Sequence, residues 1–208
     1  MKNHFDQFLN IRNLMFEKRP KLVVECGAGL GECTMLLAHM LDNYPFELEV
    51  ISDKIVPDMD GRIEWRIGLS YKLLKEYDDN SIDMCLIDTD HNFWTLTQEL
   101  ESVAPKITEG GLIILHDVEE FYHDTGMAMS YWDDEPYPEE EIKACAKFGG
   151  LGDAMISFLA KYNGEFKLLA YNKERSGAAA LEKKTVGQTR VIMPGGSPVF
   201  AKTRGDAK

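Results

Sequence analysis

The stretch VVECGAGLGECT, residues 23–34, joins an apolar run to a turn carrying Gly27, Gly29 and Gly31, and then to helix-forming residues. Glycine has no Cβ, so such a turn accepts left-handed backbone and lets a neighbour or ligand approach the main chain closely. Three uses fit it: a seat for a dinucleotide, a seat for a nucleoside without a phosphate, or a tight corner. What flanks the turn narrows the choice.

Working outward, short apolar runs alternate with helical ones. KLVVECG (21–27) leads to helical ECTMLLAHMLDNY (32–44) and then to FELEVISD (46–53). RIEWRIG (62–68) precedes a short helix around SYKLLKEY (70–77). SIDMCLID (81–88) precedes the helical NFWTLTQELESVAPKI (92–107), and GGLIILHD (110–117) closes the series. Continuous apolar strands alternating with helices predict an α/β fold, a Rossmann-like doubly wound, mostly parallel sheet. The first residues, 1–19, read as an amphipathic helix with Phe5, Phe8, Leu9 and Met15 on one side and Pro20 after its end.

After LHDV the rhythm breaks. Residues 119–150 are rich in aromatics and acids, and Pro136 and Pro138 forbid a continuous helix there. LGDAMISFLAKY (151–162) is helical again. EFKLLAYN (165–172) and SGAAALEKK (176–184) follow as a pair of antiparallel strands. From Thr185 onward GQ, PGG and SP predict a loosely ordered tail with one further strand at PVFAK (198–202). No repeat or second domain is visible, so residues 1–208 read as one domain with a lid insertion at 119–150.

The bulk numbers set limits. At 208 residues, 44% apolar and 28% charged, the chain is an ordinary globular one. No apolar run approaches the ~18 residues of a membrane span, and the N-terminus mixes charges through its apolar residues, unlike a signal peptide. A net charge of −12 argues against a nucleic-acid partner, since phosphate contacts need clustered Lys and Arg. The six basic residues between Lys183 and Lys208 read as a solvated terminal segment. Cys26, Cys33, Cys85 and Cys145 form no CxxC pair and no zinc spacing, which predicts a reduced, cytoplasmic setting. A homo-oligomer is compatible with all of this.

The turn itself argues against a dinucleotide. The pyrophosphate fingerprint is GxGxxG, whereas this chain has GxGxG followed by Glu32, a carboxylate at a helix N-terminus where a pyrophosphate would sit. Glu25 precedes the glycines and completes an E-x-G-x-G-x-G string. Asp53 closes the second strand, where a carboxylate is placed to accept the hydroxyls of a ribose.

On VVECGAGLGE, Asp53, RIGLSYKLL and SIDMCLIDTDH, the chain resembles the class I S-adenosylmethionine-dependent methyltransferases over roughly residues 20 to 118. GDAMISFL and SGAAALEKK look like that family's last helix and strands. The resemblance implies a seven-stranded sheet with an antiparallel last strand, and S-adenosylmethionine as cofactor. It also implies a methionine-side pocket at Gly27, Gly29 and Gly31 beside Glu25, and a ribose carboxylate at Asp53. Many members carry an acid after the glycine of strand three. This chain has GLS, so Leu69 and Ser70 would meet the adenine through backbone and packing.

A second constellation lies further along. Strand four ends at Asp88 and strand five at His116 and Asp117. Neighbouring strands run about 5 Å apart, and carboxylates that close repel unless a proton or a cation sits between them. A hard divalent ion suits such a site and would lower the pKa of a bound hydroxyl. Asp90 or His91, one step beyond, could take the proton. The pattern looks like the metal-dependent O-methyltransferases, a group including catechol, sugar and macrocin-type enzymes. By position it gives Asp88, His116 and Asp117 as ligands of magnesium or manganese, with Asp88 also beside the cofactor, and Asp90 as a candidate base.

Relatives usually have Asp-Asp or Asp-Asn where this chain has His116-Asp117. Imidazole suits manganese, iron or zinc better than magnesium. His116 could instead point to substrate or hydrogen-bond a ligand carboxylate. The acceptor implied is a small hydroxylated molecule, such as a sugar, polyketide or catechol, with Phe121, Tyr122, Tyr131, Trp132 and Tyr137 of the lid available for stacking. Three alternatives stay open: a hydroxylase-like protein of the same fold, a nicotinamide-dependent oxidoreductase, and a non-catalytic nucleoside-binding module.

Overall fold

The computed structural model describes residues 11–119, 150–173 and 177–185. The start of the expected N-terminal helix, nearly all of the expected lid and the tail with PVFAK lie outside the described residues. Within them the chain runs α1 (Ile11–Lys18), β1 (Leu22–Cys26), α2 (Glu32–Met40), β2 (Glu47–Ser52), β3 (Ile63–Ile67) and α3 (Ser70–Leu73). A 3-10 turn at Leu74–Glu76 follows, then β4 (Ile82–Ile87), α4 (Phe93–Val103), β5 (Ile107–His116), α5 (Leu151–Lys161), β6 (Phe166–Asn172) and β7 (Ala178–Lys183).

The strands form one seven-stranded sheet in the order β3-β2-β1-β4-β5-β7-β6. β1 through β5 pair in parallel, and β7 runs antiparallel to both of its neighbours, β5 and β6. The fold expected from the alternating runs is the fold observed. Side chains of alternate residues leave opposite faces of a strand. Val24, Cys85, Ile113 and Leu115 accordingly meet α4 and α5 on one face. Val23, Met84, Leu112 and Ile114 meet α1 and α2 on the other. Each fully buried aliphatic side chain of this kind contributes about 1.5–3 kcal/mol.

Several element boundaries differ from the sequence reading; α2, for one, ends at Met40 rather than Tyr44. α4 stops at Val103: Ala104 keeps helical backbone as its C-cap, but Pro105 has no N–H with which to continue the helix. β5 starts earlier, at Ile107, where it pairs with Ile82 before a register shift. Among the described residues no helix is long and apolar enough to cross a membrane.

Candidate functional site

β1 lies between β2 and β4, so connections leave it in opposite directions and a crevice opens at the carboxyl ends of the strands. A cleft of about 360 Å³ occupies this place, within the range of small-molecule sites. Gly27, Gly29, Asp53, Leu69, Ser70, Asp88 and Asp90 all line it.

The three glycines have different tasks. A Cβ on Gly27 would lie 2.0 Å from the carbonyl oxygen of Asp88, so this glycine lets the end of β1 pass against the end of β4. A Cβ on Gly31 would meet the Met59 side chain, and Gly31 opens α2 with φ 83° without lining the cleft. Gly29 has nothing within 4 Å of the same position and faces the cleft. Glu25 also lies off the cleft. It is buried at 2% exposure, and neither carboxylate oxygen has a hydrogen-bond partner. Burial pushes its carboxyl up to about 7, partly offset by nearby Thr34 and Cys33.

Asp53 is exposed just past β2 and accepts a hydrogen bond from Ser52 Oγ at 3.1 Å. Ser70 opens α3. Its hydroxyl donates to Glu99 Oε1, and the Thr89 hydroxyl donates to the same oxygen at 2.7 Å.

The second constellation assembles through strand register. Ile87 pairs with Leu115, so Asp88 and His116 sit side by side one residue beyond. His116 Nδ1 lies 3.5 Å from Asp88 Oδ1 and 3.1 Å from Asp117 Oδ2. Asp88, His116 and Asp117 each offer a ligand atom, all within 4.8 Å of one another. Asp117 adopts φ 57°, a left-handed conformation that Asp tolerates better than bulkier residues. His91 Nε2 approaches the same carboxylates, 3.0 Å from Asp117 Oδ2 and 3.7 Å from Asp88 Oδ1. The helix cap beside it is Asn92, whose Oδ1 accepts from the Thr95 amide at 2.8 Å.

The methyltransferase domain family matches the sequence over residues 24–118. The match spans just under half of the chain. Every candidate residue named above, from Glu25 to Asp117, lies inside the match. No curated protein matches the chain in sequence. Among solved structures, the chain is similar to a Klebsiella pneumoniae protein named as an O-methyltransferase, at TM-score 0.59 and 14% identity, covering 86% of this chain and 80% of that one. It is similar to a Staphylococcus aureus protein named as a caffeoyl-CoA O-methyltransferase, at TM-score 0.57 and 16% identity, with 84% and 81% covered. A third similar structure is the Podospora anserina methyltransferase bound to S-adenosylhomocysteine, at TM-score 0.52 and 15% identity, with 83% and 76% covered. The fold of the chain is the one these solved methyltransferases share.

Within the matched segment the charges of the cluster hold one another. Burial raises the Asp88 carboxyl, but His116 and His91 outweigh it and bring it down to about 2. Burial lowers His116, and Asp117 with Asp88 reverse this and carry it up to about 10. Two carboxylates and an imidazole with converging ligand atoms suit a divalent cation, and the nitrogen donor favours manganese, iron or zinc over magnesium.

Sequence reasoning missed Glu99, Thr89 and Thr95. Glu99 is wholly buried, and burial pushes its carboxyl up to about 8 against the lowering pull of Ser70 and Thr89. A signal was available: Leu96, Glu99, Leu100 and Val103 follow the i, i+3, i+4, i+7 spacing of a buried helix face, with an acid in an apolar stripe.

Proposed function

We propose that the chain transfers a methyl group from S-adenosylmethionine to a hydroxyl of a small molecule, such as a sugar, polyketide or catechol, at a site holding a divalent metal ion. The observation that carries this reading is that Asp88 belongs both to the cleft wall and to the Asp/His cluster. Donor and metal sites therefore meet at one residue. The names of the Klebsiella and Staphylococcus proteins support oxygen as the acceptor atom.

In the reaction the bond from sulfur to methyl breaks, an oxygen–methyl bond forms, and the hydroxyl proton leaves. Asp88, His116 and Asp117 would hold the ion, which supplies Lewis acidity toward the acceptor hydroxyl. Asp53 accepts the ribose hydroxyls, and Gly29 gives the methionine side access to the main chain. Asp90 lies at the junction of the cleft and a small void beside His116, a position from which a carboxylate takes up the proton. His91, held against Asp117, positions that carboxylate. A hydroxylase-like use of the cluster is the second reading, favoured by two imidazoles beside two carboxylates.

The test is calorimetry of chelator-treated protein with S-adenosylhomocysteine, then with magnesium and manganese. A methyl-transfer assay over hydroxylated acceptors follows. Nucleoside binding, a metal heat lost in Asp88→Asn, and metal-dependent O-methylation are expected. No nucleoside binding overturns the donor assignment, and full turnover without metal overturns the metal assignment.

A further inference from the structure

We propose that Glu99 sets the hydrogen-bond polarity of the cleft, so that Ser70 and Thr89 present only acceptors to the bound base and select a 6-amino over a 6-oxo purine. This deepens the reading of the cleft as the seat of S-adenosylmethionine and rests on it.

A hydroxyl has one proton to donate and two lone pairs to accept with. Ser70 and Thr89 both spend that proton on Glu99 Oε1. Two donors use both lone pairs of that oxygen. Glu99 Oε2 is buried without a partner, so the proton of the neutral acid belongs there. The bonds to Oε1 then stand whether Glu99 is charged or neutral. Glu99 itself does not line the cleft, whereas both hydroxyl-bearing residues do. The cleft wall therefore includes two residues whose hydroxyl oxygens have only lone pairs left to offer.

Position along the cleft says which part of the ligand they meet. The glycine turn takes one end, and Asp53, at the end of β2, takes the ribose. The wall left for the base is formed by Leu69, Ser70, Thr89 and Thr95. An exocyclic amino group donates to such oxygens. A 6-oxo group would place oxygen against oxygen, and neither hydroxyl can turn to donate without abandoning a buried carboxyl. A lone Ser or Thr would not discriminate in this way, because its hydroxyl rotates to suit the ligand. Glu99 is thus a positioning residue for specificity, acting through two side chains at the cleft.

The experiment is calorimetry of the full chain with S-adenosylhomocysteine and with its deaminated counterpart, S-inosylhomocysteine. The wild type is expected to prefer the adenosyl compound by about tenfold or more, the scale of an unpaired buried polar group. Glu99→Gln keeps an amide oxygen that accepts both hydroxyls, so it retains the preference. Glu99→Leu releases both protons, and the preference falls to within about threefold, since each hydroxyl can then accept or donate. Equal binding by the wild type, loss of the ratio in Glu99→Gln, or its survival in Glu99→Leu each overturns the proposal. If Glu99→Leu does not fold, the Ser70→Ala, Thr89→Val double variant removes both acceptors and must lose the ratio; retention overturns the proposal. Absence of binding by either compound to the wild type instead overturns the donor assignment beneath it.

Discussion

Strand β4 is closed by an aspartate at each end, and the two are treated differently. At the amino end, Asp83 accepts from the amides of Lys21 and Leu22 at 2.7 and 3.1 Å and from the Thr108 hydroxyl at 2.9 Å. Its two oxygens are used to tie β1, β4 and β5 together. At the carboxyl end, Asp88 faces His116 and His91 at 3.5 and 3.7 Å, with Asp117 close by. These contacts are long for hydrogen bonds, and the carboxylates converge on one another. A saturated carboxylate holds chain together, whereas convergent ones are arranged for something that arrives later.

The largest effect belongs to the backbone that lets the two ends of β1 and β4 cross. Gly27→Ala places a methyl 2.0 Å from the Asp88 carbonyl in a left-handed residue. It is expected to cost about 3 kcal/mol or more and to abolish S-adenosylhomocysteine binding, read by denaturation and calorimetry. Wild-type affinity in this variant would detach the cleft from the glycine turn.

Next comes the aspartate pair itself. Asp83→Ala leaves amide donors and a hydroxyl unmatched and is expected to lose about 2–3 kcal/mol in chemical denaturation, with manganese binding kept. Asp88→Asn is expected to lose about 2 kcal/mol, because the lowered Asp88 carboxyl marks its attraction to His116 and His91, while metal affinity falls by about a hundredfold. A hundredfold loss of metal affinity in Asp83→Ala, or unchanged affinity in Asp88→Asn, would break the comparison.

The subtlest change is one of slope and concerns the carboxyls behind the cleft. Glu25 and Glu99 titrate near 7 and 8 in the folded chain and near 4.5 when exposed. Between those values the folded state binds more protons than the unfolded one, so stability falls as pH rises, from about 4.5 through 7 for Glu25 and through 8 for Glu99. Denaturation midpoints across this window should fall less steeply in Glu25→Gln and Glu99→Gln than in the wild type. Parallel profiles for wild type and variants would contradict the raised titrations.

Much of this was legible beforehand. The sheet and its reversed strand followed from the alternation of apolar runs with helices and from the resemblance. Asp88, His116 and Asp117 could be grouped because strand ends become neighbours once the strands pair. Individual side-chain tasks were less visible. The spacing of Gly27, Gly29 and Gly31 is uniform, yet only the folded packing shows that one meets Asp88, one meets Met59 and one meets open space. Glu25 reads as a cofactor-side acid of the glycine turn and Glu99 as an ordinary one, because burial is a property of what packs around them. Glu99 announces itself only when its helix face is traced.

The reversed strand has a consequence for how the chain reaches this state. β7 comes after β6 in the chain yet takes the place beside β5, with Ala178 opposite His116 and with Ala178, Ala179 and Ala180 wholly buried. Until that late segment is available, one flank of β5 lacks its partner and presents an open template to other strands. Completion of the sheet under His116 and Asp117 thus waits on contacts between residues more than sixty positions apart, and such long loop closures slow folding. The residues that converge at the end of β5 thus rest on the most sequence-distant pairing beside them.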